Sequence, residues 1–276
     1  MGVLAAIKKG WEIASGMVPV IIGVFLFNVV TALGLLMVIG INPTPDKITQ
    51  ITGLLAVFFI VLLLLWVLLN GGIFSAVYSQ IKTKRVDLNA FMPNCLSFFS
   101  RLFGVNLIGF FLTVFLGFAG VFLAGIFFAM GRGQNIFFNI IAWIAIGITA
   151  IIAFLLMIIL FLSQYCVVID GTGVVASLKK GIGYFKQFFG KFCGVFLLVG
   201  VIIFPLSIGV NLIGNLLGKA IQGWPLAIIN IIMNGSINAF ISVFATASVM
   251  SLLLSVALVA AKPGEEAAED KEIEEV

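Results

Sequence analysis

The stretch MVPVIIGVFLFNVVTALGLLMVIG, residues 17–40, carries no charged side chain in its 24 positions. Crossing the hydrocarbon core of a bilayer takes about 20 apolar residues in a helix. The apolar region of a cleaved signal sequence is shorter, about 7–15 residues, and leads into a small-residue cleavage site. This run leads instead into INPTPDKITQ (41–50), which offers no such site. The stretch is therefore predicted to be the first transmembrane helix, with Lys8 and Lys9 just ahead of it.

Five more runs of the same kind follow, at roughly 51–78, 103–130, 137–166, 193–217 and 226–260, and none contains Lys, Arg, Asp or Glu. Apolar residues make up 62% of the chain and charged residues 9%, with a mean hydropathy of +1.28. A soluble domain carries about a quarter charged residues. The fold class is an all-α integral membrane protein with six transmembrane helices. The last run is awkward, because a helix over 226–260 would be about 50 Å long, well beyond the bilayer core. It either protrudes or breaks near Asn234-Gly235-Ser236.

Charge sets the expected orientation. Lys8 and Lys9, the connections at 79–102 and 167–192, and the tail hold twelve of the 15 basic residues. The three short loops on the opposite side hold one each: Lys47, Arg132 and Lys219. By the positive-inside rule both termini face the cytoplasm, in a multi-pass protein of the cytoplasmic membrane. That rule also accounts for the net charge of +4 without nucleic acid. Cys95, Cys166 and Cys193 are spread out and lack CxxC spacing, so they read as reduced thiols.

The segment before the first span, GVLAAIKKGWEI (2–13), recurs 171 residues later as GVVASLKKGIGY (173–184), with six identities in twelve positions. Val175, Leu178, Ile182, Phe185, Phe189 and Phe192 recur at helical spacing, with Lys179, Lys180, Lys186 and Lys191 on other faces. Leu4, Ile7, Trp11 and Ala14 repeat that stripe at the N-terminus, and Leu88, Phe91, Cys95, Phe98 and Leu102 give a weaker middle copy. Each stripe precedes two spans, so the chain is predicted to hold three repeats of amphipathic interfacial helix plus transmembrane hairpin. Their bounds are about 1–80, 81–168 and 169–260, in one polytopic domain. A basic amphipathic helix of this kind lies in the membrane plane, its lysines among anionic headgroups. Lys8, Lys9, Lys179, Lys180, Lys186 and Lys191 are the candidate lipid contacts. Asp87 and Asp170 fall near the starts of the second and third such helices, where negative charge suits the helix dipole.

The segment Ser177-Leu178-Lys179-Lys180-Gly181, Tyr184-Phe185 and Phe188-Phe189-Gly190-Lys191-Phe192, leading into a span, resembles that of uncharacterised prokaryotic six-span membrane proteins. These are similar to the membrane domain fused to some glycerophosphodiester phosphodiesterases. The resemblance covers about residues 1–260 and implies fold and location; the soluble catalytic domain of those enzymes has no counterpart here.

Catalytic constellations are missing. The chain has no histidine, and outside the tail its acids are Glu12, Asp46, Asp87 and Asp170, scattered at span ends. That excludes imidazole-based triads and zinc sites, carboxylate dyads and two-metal phosphotransfer sites. No enzymatic activity, cofactor or metal is expected. What polarity the spans carry is mainly amide. Asn230, Asn234, Asn238, Ser242 and Thr246 recur every four residues in the last span, and Asn211 and Asn215 pair in the fifth, beside Pro205. Such a row drifts by about 40° per step and is expected to stay on one inward side. Two readings stand: amides bonding between helices, helped by Gly117, Gly120, Ala124, Gly214 and Gly218, or an aqueous path for a small uncharged or lipid-like solute.

The tail, residues 261–276, is acidic and cannot build a core. Position 6 is Ala, which argues against myristoylation at Gly2. The sequence thus favours a non-enzymatic protein that organises lipids or partners, with membrane lipids as its expected partner and an oligomer or protein partner open. A transporter or channel is the alternative.

Overall fold

A computed structural model describes residues 1–40, 45–131 and 135–261. The loop residues 41–44 and 132–134, including Arg132, and the acidic tail from 262 lie outside the described residues. The described residues form helices and no strand: α1 (Val3–Gly16), α2 (Val18–Ile39), α3 (Pro45–Thr83), α4 (Phe91–Gly131), α5 (Ile136–Asp170), α6 (Val174–Gln187), α7 (Phe189–Leu217) and α8 (Trp224–Ala261). Six of them, α2–α5, α7 and α8, are long and apolar enough to cross a membrane. The multi-pass, all-helical class read from the sequence is the class observed.

The chain divides into two compact units. One holds Met1–Ser97 and the chain from Gly190 onward, and α8 is its core. About 61% of the best spanning window of α8 is buried, against 6–17% in the other five spans, which marks it as the central helix of its unit. Helices α1, α2 and α3 all pack against it. Ala239, Val243, Phe244, Ala247, Met250, Leu252 and Leu253 supply its buried surface.

Helix α8 does not break at Asn234-Gly235-Ser236. Gly235 is instead where α2 comes close: a Cβ there would lie 3.2 Å from Val29, and the Asn28 amide reaches the Gly235 carbonyl at 3.5 Å. The glycine serves contact, and the helix ladder tolerates it at a cost of about 1 kcal/mol. Of the two alternatives, the unbroken helix is the one observed. Its excess length lies alongside α1, which packs on the stretch around Ser248.

The other unit, Phe98–Phe189, contains most of α4, with α5 and α6. Glycines of α4 meet α5 in antiparallel register: a Cβ on Gly109 would strike Leu160, one on Gly120 Thr149, and one on Gly131 would lie 3.2 Å from Phe138. Gly117, expected to share in close packing, faces open space, whereas Ala124 is buried. Helix α5 opens on an Asn135 cap, whose side chain accepts the Phe137 N–H at 3.0 Å. It closes on Gly171 at φ 61°, the left-handed conformation that costs a glycine nothing. The Arg101 guanidinium donates to the Gly171 carbonyl at 2.6 Å, fixing the turn into α6.

Two of the three expected interfacial helices are separate elements. Both α1 and α6 contain 14 residues, and each is followed by one hinge residue, Met17 (φ −105°, ψ 32°) or Phe188 (φ −127°, ψ 32°). The middle one is not separate: Cys95, Phe98 and Leu102 belong to the opening turns of the 41-residue helix α4. Pro93 falls in its first turn, where the missing N–H has no helical acceptor to lose. No hinge follows.

Candidate functional site

Helices α1 and α6 present the same three sectors at the same register. At about 100° per residue, the buried arc of α1 is Ala6, Gly10, Ile13 and Ala14, and that of α6 is Ser177, Gly181 and Phe185. These arcs are built on small residues. A Cβ on Gly10 would fall on Ser248 of α8, and one on Gly181 on Ser163 of α5. The apolar stripe read from the sequence supplies Ala14 and Phe185 to these arcs, while others of its members lie on the flank: Leu4 is 75% exposed, Val175 64% and Ile182 38%. Trp11, half uncovered, sets its ring edge-on to Phe240 and Phe244 at 5.0 and 5.9 Å. The remaining arc carries Lys8, Lys9, Lys179 and Lys186, all exposed.

Two of the candidate lysines differ from the rest. The Lys180 ammonium donates to Asp170 at 2.9 Å, closing an ion pair between α6 and the end of α5. That bond raises the Lys180 pKa above the ordinary lysine value. Asp170 is thus the last residue of α5 and a partner for α6, not a charge on the first turn of α6. Lys191 belongs to the first turn of α7, beyond α6. Beside the pair, burial is the main cause of a raised Tyr184 phenol pKa. Asp87 does sit ahead of a helix: its carboxylate accepts the N–H groups of Asn89 and Ala90 at 3.0 and 3.2 Å, just before α4.

The amide row does not keep to one side. Asn234 and Asn238 are exposed, Asn230 and Ser242 half-buried, and Thr246 buried. The drift of about 40° per four residues accumulates, carrying the row from the surface of α8 into its packed side. The Asn234 amide donates to its own helix, to the Asn230 carbonyl at 2.8 Å, and Asn211 does the same to Ser207 at 2.9 Å. Asn215 is exposed on α7. The row meets α7 where a Cβ on Gly214 would lie 2.6 Å from the Asn230 side-chain oxygen. Amide bonds between helices occur elsewhere: Gln164 of α5 reaches Asn106 of α4 at 3.4 Å, and Asn94 of α4 donates to Ser75 of α3 at 2.6 Å.

Sequence reasoning missed a polar cleft between the end of α3 and the start of α4. Its volume is about 240 Å³, and its polar lining includes Ser75, Tyr78, Lys82, Asp87 and Asn94. Local chain geometry makes it. Lys84 takes the left-handed conformation (φ 58°), turning the chain so that the Arg85 carbonyl accepts the Ser79 and Thr83 hydroxyls, both at 3.2 Å. The one available signal was Asp87, two residues past Lys84-Arg85, as a helix-start residue.

Among the described residues no three His, Cys, Asp or Glu side chains come together as a metal site. Comparison of the chain with family models, with curated proteins and with solved structures finds no match.

Proposed function

We propose that this is a non-enzymatic membrane-structural protein of the cytoplasmic membrane, with its termini on the cytoplasmic side. Helices α1 and α6 lie in the membrane plane, hold anionic lipid headgroups and so organise lipids or partner proteins around the bundle. The carrying observation is their shared three-sector design: a small-residue arc docked on a long helix, an uncovered apolar flank, and a lysine arc. An uncovered apolar flank beside lysines suits the boundary between acyl chains and headgroups. Each lysine near an anionic surface contributes about 1 kcal/mol.

The three-repeat organisation belongs to this proposal. Gly10 on Ser248 and Gly181 on Ser163 are two instances of one contact. Asn94 occupies the corresponding place in the middle copy and bonds Ser75. A helix-on-span module used three times accounts for all three.

The test replaces Lys8, Lys9, Lys179 and Lys186 with Gln and measures phosphatidylglycerol retained by the purified protein, by native mass spectrometry. A several-fold fall is expected. Unchanged retention, with the fold intact, would sink the reading.

A second reading, a path for a small uncharged or lipid-like solute, draws on the exposure of Asn234 and Asn238. Their depth along α8, about 15 and 21 Å from Trp224 at 1.5 Å per residue, places them well inside a spanning helix. Single cysteines at 234 and 238 would react with a membrane-impermeant thiol reagent if water reaches them. Absence of labelling leaves the structural reading alone.

A further inference from the structure

We infer that the α3–α4 cleft is a binding site for a zwitterionic phosphate–ammonium headgroup, such as that of phosphatidylethanolamine. It is distinct from the lysine arcs of α1 and α6 and does not rest on them. One wall is the closing two turns of α3, presenting Ser75, Tyr78 and Lys82; the other is Asp87 and the opening of α4, presenting Phe91 and Asn94.

The cleft holds one positive and one negative charge, and they do not pair with each other. The Lys82 ammonium stands over the Tyr78 ring, 5.8 Å from its centre, and makes no ion pair among the described residues. The Asp87 carboxylate uses one oxygen, Oδ1, on the Asn89 and Ala90 N–H groups. Opposite charges set apart on two walls match a ligand carrying both: the phosphate toward Lys82, the ammonium toward Asp87. A purely anionic headgroup would meet the Asp87 carboxylate as a like charge. At about 240 Å³ the space suits a headgroup and is smaller than the usual pocket for a drug-sized molecule, about 300–1,000 Å³.

The surroundings favour a lipid over a soluble phosphate–ammonium compound. Leu88, Met92 and Leu96 recur at intervals of four and are 51%, 61% and 64% exposed. Leu88 next to Asp87, then Met92 and Leu96 on the opening turns of α4, give exposed apolar surface close in the chain to the cleft residues Asp87, Phe91 and Asn94, suited to acyl chains.

The experiment reconstitutes the full chain in nanodiscs of equal phosphatidylethanolamine and phosphatidylglycerol and counts retained lipids by native mass spectrometry. Lys82→Gln and Asp87→Asn are compared with the parent, and Asn keeps the helix-start role of Asp87. The parent is expected to retain phosphatidylethanolamine preferentially. Lys82→Gln should lower that retention about tenfold, the equivalent of one charge-assisted hydrogen bond. Asp87→Asn should reverse the preference toward phosphatidylglycerol, an outcome a merely structural role for Asp87 would not produce. Equal retention of both lipids by the parent, or an unchanged preference in Asp87→Asn, overturns the inference. Free phosphoethanolamine binding as tightly as the lipid overturns its assignment to a lipid. A loss confined to the Gln variants of α1 and α6 bears on the function proposed above and not on this cleft.

Discussion

Gly181 lies so close to Ser163 that a side chain there would fall on the serine hydroxyl, with the Ser163 backbone nitrogen 3.0 Å away. Two turns of small residues thereby let α6 rest its backbone on α5. At the neighbouring Gly183, on the same helix, a methyl group would have nothing within 4 Å of it.

These two glycines should respond in opposite directions. Gly183→Ala is expected to raise thermal stability, by about 0.5–1 kcal/mol, from helix propensity alone. Gly181→Ala should lower it by about 1–3 kcal/mol, because the backbone of α5 cannot yield as a side chain can. Unfolding of the purified variants in one detergent gives both signs. Two changes of the same sign would count against the docked position of α6.

The Lys180–Asp170 bond predicts a specific pH window. Its folded lysine pKa is raised, so the contribution is full below the unfolded lysine value of about 10.4 and is lost as pH climbs through the folded value. The Lys180 side chain is 46% exposed, so solvent screening keeps the amount small, at most about 1 kcal/mol. Lys180→Gln should melt slightly below the parent from pH 7 to 10 and converge with it above that. A gap that persists at high pH would assign the effect to packing of the lysine stem.

At the α2–α8 crossing, Gly235→Leu should cost about 1–3 kcal/mol by forcing Val29 and Phe25 aside. Asn28→Ala should cost far less, about 0.6 kcal/mol, the mean for a bond between helices in a membrane. The long 3.5 Å reach to Gly235 agrees with that ranking. Resistance of the variants to unfolding in SDS would order them.

Ser251 offers a gain. It is 2% exposed, and its hydroxyl has no hydrogen-bond partner among the described residues. Removing an unsatisfied buried hydroxyl recovers about 1 kcal/mol or more. Ser251→Ala is expected to melt higher than the parent; a lower melting point would mean that a bound water satisfies the group.

The spans were legible because uninterrupted apolar length is a one-dimensional property, readable wherever charges stop. The partition of α1 and α6 into sectors was half legible. Lys-Lys-Gly recurs in register, and the stripe's Ala14 and Phe185 are buried, but its Leu4, Trp11, Val175 and Ile182 are left uncovered. Docking fell to Gly10 and Gly181, whose value lies in what they lack. The inward direction assigned to the amide row failed because a drift of about 40° per step fans its five members over about 160°, wide enough to run from exposed Asn234 to buried Thr246. The α3–α4 cleft was illegible because it depends on Lys84 turning left-handed, which brings Tyr78 and Asn94 to face one space.

The pairing of α1 with α8 has a consequence in time. Helix α6 meets Ser163 on a segment already made, but Gly10 must wait for Ser248, 238 residues later in synthesis. At about 5–20 residues per second that wait is roughly 10–50 s. During it the small-residue arc of α1 lacks the α8 surface that covers Gly10. A membrane surface, which its apolar flank and lysines already suit, is the natural place for it to wait. The last span then recruits it, and the interior of this unit closes from its two ends at once.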